Sequence, residues 1–140
     1  VTLEVNAAEA LIRRHLRIGY VGLAVFVTLG GVLEALHGFK VGFYLDVDSE
    51  TRRLMWRLAH AHGTLLSVLH VVYALTVKAA PGAARPLASS LLTAALVLVA
   101  GGFFVGGLSV HGGDPSLGIL LVPAGFVALL VSVVVTARAL

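Results

Sequence analysis

Between Leu87 and Val110, and again between Leu117 and Ala137, the sequence carries no charged residue. At 1.5 Å per residue, either run folded as a helix crosses a hydrocarbon layer of about 30 Å. Lipid offers backbone amides no partner, so runs of this kind fold as helices that bond internally. Two further segments follow the same logic: one is uncharged from Ile18 to Leu33, the other apolar beyond Arg57. The reading is an all-α, four-helix transmembrane bundle in one domain over residues 1–140, with helices at about 7–37, 50–77, 87–110 and 117–138. Composition agrees: 59% of residues are hydrophobic and 12% charged, against about 45–50% and about 25% in soluble domains. The first apolar run is longer than the core of a secretion signal and has no small-residue cleavage site after it, so it is expected to remain as a span. With no cysteine, disulfides and thiolate metal sites are excluded.

Local signals place the boundaries. Asn6 followed by Glu9 predicts an N-cap with its capping-box partner, and Gly38 a C-cap. Phe39, Phe43 and Tyr44 supply interfacial aromatics in a loop that ends at the capping residues Asp48 and Ser49. Pro81, Gly82 and Pro86 mark the second turn, and His111 to Pro115 a tight third connection. Pro123 is expected to kink the last helix. Gly102 and Gly106 form a GxxxG pair suited to close helix contact.

The formal charge of +3 and isoelectric point near 9.8 reflect basic residues beside apolar runs, not a nucleic-acid surface. Arg13, Arg14, Arg17, Lys78, Arg85 and Arg138 fall on one side; Lys40, Arg52, Arg53 and Arg57 fall on the other. That asymmetry predicts cytoplasmic termini, as in a bacterial inner membrane. The expected partners are the bilayer and either further copies of the chain or a larger membrane complex.

Ionisable groups are costly inside a bilayer and therefore mark candidate sites. Glu34 and His37 share a helix face near the outer end of the first span. His60 and His62 enter from the second span, after Arg53 and Arg57, and His111 and Asp114 from the third connection. Glu34, His37, His60, His62 and His111 are thus candidate metal ligands, with Arg53, Arg57 and Asp114 as supporting charges. Carboxylate and imidazole without thiolate suit Zn, Cu or Fe. His60, His62 and His70 are candidate haem or cofactor ligands. His60 and His62 lie about 200° apart around a helix, so they face different neighbours. His70 lies deeper, bonded to a backbone carbonyl or forming a second ligand position. His15 reads as a solvated interfacial residue.

The string His60-Ala-His-Gly-Thr-Leu-Leu-Ser67 resembles the His-Ala-His-x-x-Leu-Leu-Gly segment of small membrane proteins similar to haem–copper oxidase subunit I. That resemblance implies His60 and His62 as haem or copper ligands. Three functions are open at this stage: a metal- or haem-binding protein linked to electron transfer, a non-catalytic accessory subunit, or a proton or ion pathway through Glu34 and the histidines.

Overall fold

The computed structural model describes the backbone from Thr2 to Leu140, with side-chain surroundings from Asn6 onward. Helix α1 spans Thr2–Gly38, α2 is a single turn at Gly42–Leu45, α3 spans Glu50–Ala79, α4 Pro86–Gly106 and α5 Leu121–Ala137. Four segments, Asn6–Gly38, Val47–Ala79, Pro86–Gly106 and Leu117–Ala137, are long and apolar enough to cross a membrane. The chain is an all-α integral membrane bundle. Each long helix packs chiefly on its neighbour in sequence, α1 on α3, α3 on α4 and α4 on α5, as short connections require. Gly82 approaches Ala139 and α1 near Ala7 approaches Pro81. Both termini therefore share the terminal end of the bundle with the 80–85 connection.

Several boundaries differ from the sequence expectation. α1 is already helical at Thr2, so Asn6 lies inside it, and Glu9 pairs with Arg13 at 3.3 Å across one turn. Gly38 does not close the helix. Val41 N–H bonds to Leu36 O at 3.0 Å and Lys40 N–H to His37 O at 3.1 Å, with Lys40 left-handed at φ 53°. This is the paired closure that usually falls on glycine.

α4 stops at Gly106, well short of Val110. The reason is that other segments take up its last carbonyls, which a helix end leaves without partners. Trp56 Nε1 donates to Phe104 O at 3.1 Å, Ser116 Oγ to Val105 O at 2.8 Å, Ser116 N to Gly106 O at 2.9 Å, and Arg52 Nε to Gly107 O at 3.2 Å. The chain then turns through Gly112 and Gly113, both at positive φ. Pro123 causes no mid-helix kink, because a 3₁₀ turn at Leu117–Leu120 precedes α5 and leaves Pro123 in its first turn. There its missing N–H costs nothing.

The apolar core lies among α3, α4 and α5, around Met55, Ala59, Leu66, Leu96, Val99, Phe103 and Val122. A Cβ on Gly102 would stand 2.9 Å from Val122 and 3.1 Å from the Gly118 carbonyl. The GxxxG face thus meets the start of the last span within the same chain. α1 is peripheral: Val21, Val25, Val27 and Val32 are exposed, and its inner face meets α3 alone over most of its length.

Candidate functional site

The α1–α3 seam begins at the end opposite the termini with a cavity of about 160 Å³ lined by Glu34, His37, Tyr44, Arg57 and His60. Gly30 makes room for His60; a Cβ there would lie 2.7 Å from Nδ1 of the ring. His60 Nδ1 is 2.7 Å from Phe26 O. A carbonyl can only accept, so Nδ1 carries the proton and the Nε2 lone pair is free. Glu34, His37, Arg57 and His60, all candidates from the sequence, therefore gather at one place.

The remaining candidates lie elsewhere. His62 faces the other way: Nδ1 donates to Leu58 O of its own helix at 2.9 Å, and its ring lies 5.0 Å from Phe103 and 5.7 Å from Phe126. His111 and Asp114 are exposed and pair through their backbones across the glycine turn. Arg53 donates to Tyr44 O at 2.8 Å and Asp46 O at 2.9 Å, fastening the α2 turn onto α3. Among the described residues, no three His, Cys, Asp or Glu side chains converge in a group that could hold a metal ion. The cavity is also smaller than the roughly 300–1,000 Å³ of sites that enclose organic ligands.

The most complete polar cluster lies at the terminal end, and sequence reasoning passed over it. His15, read as interfacial, is fully buried, as are His70 and Ser89. His15 Nδ1 stands 2.6 Å from His70 Nδ1, and His15 Nε2 stands 2.7 Å from Ser89 Oγ. The imidazoles stack at 4.7 Å, and Tyr73 closes edge-on against His15 at 4.6 Å. His70 thus bonds an imidazole, with the Leu92 backbone carbonyl, the kind of partner expected for it, lying against the same ring. The backbone of Leu92 faces His70 without closing a normal hydrogen bond to Nε2, which is buried and unpartnered.

Two Nδ1 atoms at hydrogen-bond distance share one proton, which fixes the tautomers together. If His15 holds it, His15 Nε2 accepts from Ser89 and His70 carries its one ring proton on Nε2. If His70 holds it, His15 donates to Ser89 and His70 Nε2 is a bare acceptor. The two bonds of the chain Ser89–His15–His70 can run in either direction, and in both His70 Nε2 is left without a partner.

Between the two clusters, α3 presents one polar stripe. His60, Thr64, Ser67 and His70 fall within about 120° of its circumference at 100° per residue. Ser67 is buried and donates to Gly63 O at 2.7 Å, while Thr64 Oγ1 is buried without a partner. The facing stripe of α1 is His15, Gly19, Gly22, Phe26, Gly30 and His37, with Glu34 at its edge. Gly22 sits directly on Ser67, and a Cβ on Gly19 would be 2.9 Å from Ser67 O. Thr64 Oγ1 and His70 Nε2, the buried side-chain atoms left without partners among the described residues, both belong to this seam.

The chain matches no protein-family model, no curated protein and no solved structure.

Proposed function

We propose that the protein conducts protons along the α1–α3 seam, between the Glu34–His37–His60 cavity and the buried His15–His70 pair. The observation that carries this reading is the polar stripe itself. His15 to Glu34 spans about 28 Å of α1 at 1.5 Å per residue, close to the thickness of a hydrocarbon core. A purely structural seam would be cheaper if built from apolar side chains, because buried polar groups in lipid bring little net stability.

The His15–His70 pair supplies the central step. A proton from Ser89 Oγ reaches His15 Nε2, the Nδ1 proton crosses to His70 Nδ1, and His70 releases its Nε2 proton to water in the seam. Ser89 recovers its proton from the terminal side, so each centre gains and loses one. Water completes the path between groups that do not touch, as it does around buried polar atoms generally.

The test is proton flux into proteoliposomes holding a pH-sensitive dye, driven by a potassium diffusion potential. Wild type acidifies the lumen faster than empty liposomes; His70→Phe and Ser67→Ala slow it at least tenfold, and His111→Ala does not. Wild-type flux equal to that of empty liposomes would overturn the reading.

A second reading keeps the metal and is favoured by the free Nε2 of His60 on a cavity shared with Glu34 and His37. Inward movement of those two exposed side chains would complete a Zn or Cu site linked to electron transfer. In that case purified protein carries near-stoichiometric metal that Glu34→Ala and His60→Ala both remove.

A further inference from the structure

A cleft of about 810 Å³ opens at the terminal end, between the first turns of α1 and the 80–86 connection. Its lining is apolar at Ala7, Ala10, Leu11 and Pro81, with two guanidinium groups, Arg14 and Arg85. Both arginines are exposed. Neither has a carboxylate partner among the described residues, where the ion pair found is Arg13 with Glu9. The N-terminal end of α4 opens on the same cleft through Arg85 and Pro86, and no side chain caps it. That end carries the positive pole of a 21-residue helix, a further attraction for an anion.

We propose that this cleft seats the headgroup of an anionic phospholipid, its phosphate held by Arg14 and Arg85 and its acyl chains running into the hydrocarbon alongside the span that starts at Ile18. Guanidinium matches phosphate through paired N–H donors. The depth also suits a headgroup, since Arg14 lies one turn before the uncharged run that starts at Ile18.

The site reaches the histidine pair through Tyr73. Its hydroxyl accepts from Arg85 N–H at 3.3 Å and lies 3.2 Å from Ala83 O and 3.1 Å from Arg85 O, while its ring contacts His15. A lipid that pulls on Arg85 therefore acts on a segment fastened to the residue that packs His15. The binding proposal stands apart from proton conduction, and its experiment measures binding alone.

The experiment is native mass spectrometry of the whole protein in detergent, titrated with phosphatidylglycerol, phosphatidylcholine or inorganic phosphate. Phosphatidylglycerol binds at one preferred site, phosphatidylcholine at least tenfold more weakly, and phosphate not at all at millimolar concentration. Arg14→Gln and Arg85→Gln each weaken phosphatidylglycerol by roughly tenfold, the loss expected for one charged contact. Arg13→Gln and Arg17→Gln, which lie outside the cleft, change it less than twofold. Arg85→Lys keeps the charge, guards against misfolding, and still weakens binding by losing the paired contact. Equal affinity for both lipids, equal losses at all four arginines, unchanged affinity in Arg85→Lys, or binding of phosphate alone would each overturn the proposal.

Discussion

Replacing His15 by alanine is the sharpest test of the structure at a position the sequence made look dispensable. In the bundle His15 is fully buried and bonds both His70 and Ser89. Removing the ring forfeits two hydrogen bonds, at about 0.6 kcal/mol each in membrane proteins. It also leaves a void of up to about 60 Å³, which at about 24 cal/mol per Å³ adds about 1.5 kcal/mol. The expected loss is about 2.5–3 kcal/mol. His62→Ala is the comparison, since His62 is only half-buried and bonds its own helix at Leu58; its cost should stay below about 1 kcal/mol. Unfolding by dodecyl sulfate from mixed micelles, followed by fluorescence of the single tryptophan, reports both. Trp56 suits the purpose because it stacks between Tyr44 and Phe104, at the opposite end of the bundle from His15. An unfolding midpoint for His15→Ala no lower than that of His62→Ala would refute the reasoning and return His15 to the interface.

Gly102→Leu should destabilise the bundle by about 2 kcal/mol or more, because its Cβ already falls against Val122 and the Gly118 carbonyl. Gly106→Ala should be nearly neutral, since a Cβ there meets nothing closer than 3.6 Å; the same unfolding assay separates the two. Lys40→Gly should stabilise by about 1 kcal/mol through relief of the left-handed backbone, read as a rise in unfolding midpoint. Cysteines at Val47 and Ser116 should react with an impermeant maleimide from one side of the membrane and a cysteine at Gly82 from the other; the basic-residue asymmetry makes the first side non-cytoplasmic.

The spans were legible because hydropathy over twenty residues is a strong signal in lipid. So was the parting of His60 from His62, which follows from 100° per residue alone. The gathering of Glu34, His37, Arg57 and His60 followed from their common depth near one end of adjacent helices. The His15–His70 bond was hidden for a physical reason. Its partners lie 55 residues apart, and His15 is flanked by Arg13, Arg14 and Arg17, which suggest an interface when counted by neighbours in sequence. The helix turns those arginines outward and His15 inward. A usable signal was present in the glycines of the first helix. Gly19, Gly22 and Gly30 mark a stripe of close approach, and one step back along it, four residues from Gly19, stands His15.

One hydrogen bond, His15 Nδ1 to His70 Nδ1, joins the two helices and would supply the central step of the proposed proton path. It can be observed directly by nitrogen NMR of protein labelled with ¹⁵N-histidine in bilayers. A through-bond coupling should connect two Nδ1 resonances, one protonated and one not, and both should vanish from the pair when either His15 or His70 is replaced by glutamine. Two histidine signals that show no mutual coupling and exchange freely with bulk water would contradict it.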